Sequence, residues 1–170
     1  VWLARDQDLN RDVALKQLRA DLTPHRGQAR LNIEGGFLAK LNHPKIVQIY
    51  DLVKQNDDYL LVMEYVSGNS LQILLREETP TYSERLLWLT DITEALTAAH
   101  KQGIVHCDLK SENVLIDGSR RAKVSDFGIA KQDVDPRKDI VAMGTLAAEL
   151  LGEEIITSPG VHQLIAELVD

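Results

Sequence analysis

The segment at residues 106–113, which reads HCDLKSEN, brings together side chains that could do chemistry. Asp108 can accept a proton from a hydroxyl group, and Lys110 can stabilise a developing negative charge. Asn113 and Asp126, the latter in the tripeptide DFG, carry oxygen ligands of the kind that Mg²⁺ binds. A solvated surface turn would also explain such a polar segment. The elements around it must distinguish the two interpretations.

A short hairpin is predicted to hold this segment in place. Residues 113–116 and 122–124 are predicted as two short strands, and the polar stretch DGS at 117–119 lies between them, which favours a tight turn. The start of this hairpin follows HCDLKSEN, and its end leads into SDFG at 125–128. The two groups of polar residues should therefore lie side by side.

Helices are predicted to dominate after residue 67. Residues 82–102 repeat apolar side chains at helical spacing, with Ser83 as the predicted N-cap and Gly103 as the stop. Residues 139–151 are apolar nearly all round, which is typical of a buried helix. The periodic apolar residues of the first helix are Leu89, Ile92, Leu96 and Ala99.

The first 66 residues are predicted to be rich in strands. Four short runs contain β-branched or aromatic residues, and the polar stretch KQNDD predicts an antiparallel hairpin between the last two. A helix is predicted over residues 26–42, with Glu34 on its apolar face, where an anion requires a cationic partner. The four runs are VWLARD at 1–6, VALKQL at 13–18, IVQIYDLV at 46–53 and YLLVMEYV at 59–66.

Composition excludes several classes of function. The chain has 170 residues, 44% of them hydrophobic, and its net charge of -7 argues against nucleic acid as a partner. The single cysteine indicates a reducing, cytoplasmic setting, and no apolar run is long enough for membrane contact from this segment. Because the chain begins on Val1, we expect it to be part of a longer protein, which could itself be membrane-anchored.

Six motifs occur in one order along the chain. They are VALK at 13–16, Glu34 in the predicted helix, LNHPKIV at 41–47, LVMEYV at 61–66, HCDLKSEN at 106–113 and DFG at 126–128. In this set the chain resembles the eukaryotic-type (Hanks-type) protein kinases, and more closely their bacterial serine/threonine branch. The resemblance implies an α+β, two-lobed fold that is incomplete at both ends. The N-terminal lobe would span residues 1–66 and the mainly helical C-terminal lobe residues 67–170.

The resemblance also implies ATP and Mg²⁺ as cofactors and the transfer of a phosphoryl group to a protein. Alternation along a strand places Ala14 and Lys16 on one face, where the small Ala14 leaves room for the base and Lys16 reaches the phosphates. Glu34 would orient Lys16. An ordinary buried ion pair is the alternative interpretation of these two charges.

The remaining roles follow from the same resemblance. Asp108 would accept the proton of the attacking hydroxyl or orient it, and Lys110 would stabilise the transferring phosphate. The D-x-K spacing resembles the branch that phosphorylates serine and threonine. Asn113 and Asp126 would hold Mg²⁺ and so contribute to ATP binding, and His106 would brace the loop.

The linker between the lobes, residues 63–68, is the last predicted part of the site. Met63 resembles the gatekeeper residue, and backbone groups of Glu64 and Val66 would bond to adenine. An ordinary strand end is the alternative for this stretch.

Three departures from the pattern keep other functions open. The glycine-rich phosphate loop would come just before Val1, where this sequence starts, and could be encoded upstream. Cys107 stands where the family has arginine, and no stretch like the activation segment lies between Gly128 and Asp139. The alternatives are a pseudokinase-like module that binds nucleotide or serves as a scaffold, and a small-molecule kinase of related fold. Lys110 argues against the latter, and the intact set of polar site residues favours transfer.

Overall fold

The computed structural model describes residues 1–18, 41–55, 58–127 and 135–152. The N-terminal part forms one antiparallel sheet in the order β1-β2-β4-β3, which confirms the four predicted strands. Strands β3 and β4 pair across the predicted hairpin. The strands are β1 (Trp2–Asp6), β2 (Arg11–Leu18), β3 (Ile49–Gln55) and β4 (Asp58–Glu64).

The helix predicted over residues 26–42, and Glu34 with it, lies outside the described residues except at its end. There Leu41 and Asn42 are not helical. Leu41 is instead a buried residue at the start of a connecting segment, residues 41–48, that we call the strap.

One face of the N-terminal sheet carries a small apolar core. Ala14, Leu61 and Met63 are buried together with Val47 of the strap. Ala14 pairs with Met63 and Lys16 with Leu61 across the antiparallel strands. Because paired residues of adjacent strands lie on the same face, Lys16 lies on the same face as this core.

A second sheet of three strands follows, in the order β5-β6-β7. It contains β5 (Gly68–Ser70), β6 (Val114–Asp117) and β7 (Ala122–Val124), and the β6–β7 pair confirms the predicted hairpin. Strand β5 approaches β6 so closely that a Cβ atom on Gly68 would lie 1.9 Å from the carbonyl oxygen of Ile116. Only glycine fits at this contact.

Three α-helices are present among the described residues: α1 (Leu71–Glu77), α2 (Tyr82–His100) and α3 (Arg137–Leu151). The prediction that Ser83 caps α2 is wrong. The cap is Thr81, whose hydroxyl accepts a hydrogen bond from the backbone N–H of Glu84 while the Glu84 carboxylate accepts one from the backbone N–H of Thr81. This reciprocal pair satisfies two backbone donors that Ser83, already inside the helix, cannot reach. Helix α2 ends at His100, two residues before the predicted end, and Gly103 follows with φ +71°.

The larger core lies between α2, α3 and the second sheet. Trp88, Leu96 and Ala99 of α2 are fully buried there, as are Leu146 and Leu150 of α3. The four periodic residues predicted for α2 are all buried, which confirms that face.

Helix α3 is buried on one side only, so the prediction of a helix buried all round is wrong for this element. Val141 is 70% exposed, and Thr145 and Ala148 are exposed on the same helix. A stretch that is apolar in sequence therefore does not define which face packs. The neighbouring elements select the face.

A buried ion cluster connects the strap to the larger core. Asp91 of α2 is completely buried and lies 2.7 Å from Lys45 Nζ and 2.6 Å from Arg121 Nη2. The backbone N–H of Ala122 also donates to Asp91, at 3.0 Å. Burial opposes ionisation of Asp91, but these donors hold its pKa below the usual value.

The described elements confirm the α+β class. A β-rich N-terminal part is followed by a part in which helices surround a small hairpin. The division into lobes at residues 1–66 and 67–170 stays a prediction. Within the described ranges, no helix has both the length and the apolar character needed to cross a lipid bilayer.

Candidate active site

The segment HCDLKSEN forms a loop that ends in a 3₁₀ turn, Ser111–Asn113, directly before β6. Asp108 and Lys110 extend from this loop with 59% and 47% of their side chains exposed, and Lys110 Nζ lies 2.9 Å from Asp108 Oδ2. The hydrogen bond from Lys110 lowers the pKa of Asp108, and the same bond raises the pKa of Lys110. Both groups are therefore charged at neutral pH, and Asp108 is available as an acceptor.

Asn113 is buried and connects the loop to the segment that carries Asp126. Its Nδ2 donates to the backbone oxygen of Asp108 at 2.8 Å, which turns its Oδ1 away from that group. Its backbone oxygen accepts hydrogen bonds from the N–H of Ser125 at 2.8 Å and from the hydroxyl of Ser125 at 3.0 Å. The loop and the start of the DFG segment are thus held together by backbone contacts.

Asp126 lies next to these residues in a left-handed backbone conformation, with φ +61°. Its Oδ1 is 2.6 Å from Nζ of Lys16 on β2, so the ion pair joins the N-terminal sheet to the hairpin. The prediction that Glu34 orients Lys16 concerns a residue outside the described ranges. Within those ranges, Asp126 is the carboxylate that Lys16 contacts.

His106 is completely buried beneath the loop. Its Nε2 lies 2.9 Å from the backbone oxygen of Ser125, and its Nδ1 accepts a hydrogen bond from the N–H of Asp108 at 3.2 Å. These contacts place the proton on Nε2. Burial lowers the pKa of His106, so the ring is neutral at neutral pH. The predicted role of His106 as a brace for the loop backbone agrees with these contacts.

Asp139, in the first turn of α3, was not predicted to belong to the site. Its carboxylate accepts hydrogen bonds from the backbone N–H of His106 at 2.7 Å and of Cys107 at 2.8 Å, and lies 2.8 Å from His100 Nε2. Burial opposes ionisation, but these bonds hold the pKa of Asp139 below its usual value. They also fix Cys107, whose φ is +68°. An acidic residue directly before the apolar run at 140–148 was the signal that could have identified it.

One predicted linker residue, Met63, borders an apolar cleft beside Asp126. Met63 is buried against Ala14, and Val66 packs against the same small core. The backbone N–H of Glu64 donates to the oxygen of Gln48 at 2.8 Å. The cleft is lined by Leu41, Ile46, Val47, Ile49, Leu61, Met63, Asp126 and Phe127.

Comparison with known families shows to which protein family this arrangement of residues belongs. The family model described as "Protein kinase domain" matches residues 1–162. The chain belongs to the protein kinase family. Membership accounts for the order of the six motifs and for the position of the polar cluster between a small sheet and a helical part.

Curated bacterial kinases are among the relatives. The chain is 36% identical to a probable serine/threonine-protein kinase of Streptomyces coelicolor over 189 residues, which covers 89% of this chain and 28% of the relative. It is 42% identical to the serine/threonine-protein kinase PrkC of Bacillus subtilis over 132 residues, 76% of this chain and 20% of PrkC. It is 37% identical to the serine/threonine-protein kinase PknB of Mycobacterium tuberculosis over 165 residues, 94% of this chain and 26% of PknB.

This member of the protein kinase family therefore spans less than a third of the length of these relatives. The match to the Streptomyces kinase runs over 189 aligned positions but takes in only 89% of a 170-residue chain. That relative consequently has residues inside the matched region that this chain lacks.

Proposed function

We propose that the chain transfers a phosphoryl group from Mg-ATP to serine or threonine hydroxyls of a protein. The observation that carries the proposal is the convergence of Lys16 and Asp126, 2.6 Å apart, with the paired Asp108 and Lys110 of the loop. Phosphoryl transfer requires cations for the phosphates, oxygen ligands for a metal ion and one acceptor for the hydroxyl proton. The site offers each of these groups.

The nucleotide is proposed to bind between the N-terminal sheet and the hairpin. The base would lie against Ala14, near Met63, with hydrogen bonds to backbone groups of Glu64 and Val66. Lys16 would bind the phosphates, and Glu34 would orient Lys16. The buried small core that contains Ala14 and Met63 supplies the apolar surface that a base requires.

Asn113 and Asp126 are proposed to hold Mg²⁺. The donor set fits a hard cation, because Asn113 uses its Nδ2 toward Asp108 and so keeps its amide oxygen for a metal, and Asp126 adds a carboxylate. No group of three or more His, Cys, Asp or Glu residues that could hold a metal ion is found in the described ranges. The proposed ion would take its other ligands from phosphates and water. When bound, the ion would neutralise charge on the phosphates.

Asp108 is proposed to accept the proton of the attacking hydroxyl, and Lys110 to stabilise the phosphate as it transfers. The lowered pKa of Asp108 keeps it ionised, so its main contribution would be orientation of the hydroxyl. Serine and threonine are the proposed acceptors because of the D-x-K spacing. Cys107 in place of arginine argues against control by a phosphate on the activation segment.

A nucleotide-binding or scaffolding module without transfer activity is the second candidate. The short connection between Gly128 and Asp139 favours it, since the stretch that would resemble a peptide-binding platform is not in this sequence. The residues proposed for ATP binding would serve either function. Binding and transfer must therefore be measured separately.

Nucleotide binding is tested by the melting temperature with and without Mg-ATP. A ligand at about 100 times its Kd stabilises the folded state by about 2.7 kcal/mol, so we expect a clear rise. Lys16→Ala or Asp126→Asn should abolish the rise, whereas Lys54→Met, at an exposed lysine of β3, should keep it. A wild-type chain that shows no rise would contradict the proposed ATP site.

Transfer is tested with labelled ATP and a generic protein acceptor. Label should appear on serine and threonine and be lost in Asp108→Ala, while the Mg-ATP shift in melting temperature persists in that variant. Binding without transfer in the wild-type chain would favour the scaffolding module.

A further inference from the structure

The β6–β7 hairpin contacts the linker through two side chains on one face. Leu115 of β6 and Lys123 of β7 are paired across the hairpin, so their side chains lie on the same side of the sheet. Leu115 packs against the small core that contains Ala14 and Met63. Lys123 Nζ lies 2.5 Å from Glu64 Oε1 in the linker.

Glu64 is also bonded to the strap. Its Oε2 accepts a hydrogen bond from the N–H of Gln48 at 3.2 Å, and its own N–H donates to the oxygen of Gln48 at 2.8 Å. The strap is bonded in turn to β7: the N–H of Val47 donates to the oxygen of Val124 at 2.9 Å, and the N–H of Val124 to the oxygen of Lys45 at 2.8 Å. Linker, strap and β7 thus form a closed ring of contacts, and the Glu64–Lys123 ion pair closes it.

This ion pair is shielded from solvent. The side chains of Lys123 and Glu64 are only 18% and 24% exposed, compared with 46% and 52% for the Arg5–Asp12 pair on the N-terminal sheet. An exposed pair contributes little, but loss of one partner of a shielded pair leaves an uncompensated charge. Removal of the Lys123 charge should therefore alter the contact between hairpin and linker.

The ring is close in sequence to both proposed metal ligands. Asp126 follows Lys123 by three residues, and Asn113 precedes Leu115 by two, so little flexible chain separates the ligands from the ring. We propose that the Glu64–Lys123 pair fixes the distance between the linker, where the base binds, and the ligands of Mg²⁺. Lys123 is then a positioning residue for the metal-bound nucleotide. The inference rests on the proposed binding of Mg-ATP.

The test compares Lys123→Met with the wild-type chain by calorimetric titration of Mg-ATP, of ATP with a chelator and of adenosine. We expect Lys123→Met to weaken Mg-ATP binding by about tenfold, the lower end of what loss of a residue behind metal ligands costs. Adenosine binding should not change, because the backbone bond between Glu64 and Gln48 still holds the linker. The ratio of the affinity for Mg-ATP to the affinity for ATP with a chelator should be smaller in Lys123→Met than in the wild-type chain. A general loss of stability would leave this ratio unaltered.

Two further variants serve as controls. Lys123→Arg should restore Mg-ATP binding because it keeps the charge, and Lys54→Met, which removes an exposed lysine of β3, should bind as the wild-type chain does. Equal Mg-ATP affinity of Lys123→Met and the wild-type chain would overturn the inference and leave the proposed function intact. An equal loss of affinity for Mg-ATP and for adenosine in Lys123→Met would also overturn the inference. If the wild-type chain itself fails to bind Mg-ATP, the proposed function fails and this inference with it.

Discussion

At the scale of single residues, the loop that carries Asp108 is held from below by buried polar groups. Asp139 accepts two of its backbone N–H groups, and His106 bonds to the backbone of Asp108 and Ser125. The sequence indicated the loop residues because their types match a required chemistry. It did not indicate Asp139, since periodicity shows which face of a helix is apolar but not which backbone group a buried acid will meet.

His106 should make stability depend on pH. Its pKa in the folded state lies below the usual 6.5 because the ring is buried, so the unfolded chain takes up the proton first as pH falls. The stabilisation is fully present above about pH 6.5 and declines as pH falls from there toward the folded-state pKa, by at most about 1.4 kcal/mol per pH unit for one group. Urea unfolding across this interval should show a smaller decline for His106→Gln than for the wild-type chain. An equal decline in the free energy of unfolding of the two proteins would contradict the assignment of this pH dependence to His106.

Asp139 should contribute strongly to stability. Asp139→Ala would leave the buried N–H of His106, the partly buried N–H of Cys107 and the His100 ring without their acceptor, and we expect a loss of about 3 to 5 kcal/mol in the free energy of unfolding. Asp8→Ala, at an exposed turn position, is the control and should change it by less than about 0.5 kcal/mol. Similar losses in the two variants would show that Asp139 does not anchor the loop.

At the scale of elements, the longest strands and helices could be predicted from their periodicity, and the short strands β6 and β7 from the turn residues between them, whereas β5 and α1 could not. Strands β1 to β4 and helices α2 and α3 have enough residues to show a period. Strand β5 has three residues and α1 seven, too few for a pattern to emerge from composition. The true cap of α2 was also readable, because Thr81 is followed three residues later by Glu84, whereas Ser83 is followed by Leu86.

The capping box of α2 gives a direct test at this scale. Thr81→Ala removes the hydroxyl that accepts the N–H of Glu84, and we expect a loss of about 1 kcal/mol in the free energy of unfolding. Ser83→Ala, two residues on and also exposed, should change it by less than about 0.5 kcal/mol. Urea denaturation of both variants distinguishes them, and a larger loss for Ser83→Ala would be inconsistent with this cap.

At the scale of the whole molecule, the described residues contain two apolar cores of unequal size. The smaller holds four buried residues, Ala14, Val47, Leu61 and Met63, and the larger extends across α2, α3 and the second sheet. The order of the motifs predicted both parts. The contacts between them, Lys16 with Asp126 and Lys45 with Asp91, join residues far apart in the chain. Periodicity carries no information about such pairs, and only the family resemblance implied that Lys16 and Asp126 meet at one nucleotide.

The two apolar cores should differ in how well they protect backbone amides from hydrogen exchange. We expect the amides of β2 and β4 to exchange faster than those of α2, because less apolar surface protects them. Mg-ATP should slow exchange in β2, β4 and β7 and leave α2 unchanged, since the nucleotide would join the sheet to the hairpin. Mass spectrometry of peptides from these elements measures both effects. Equal protection of β2 and α2 before nucleotide is added would contradict the expectation.

The absence of a side chain at Gly68 allows the chain to pass directly from the linker onto the hairpin. Gly68 lies two residues after Val66 of the linker. Any Cβ at position 68 would clash with the main chain of Ile116 and separate β5 from β6. In a saturation library selected for folded protein, codon 68 should return glycine alone. The neighbouring exposed Asn69 should tolerate many amino acids.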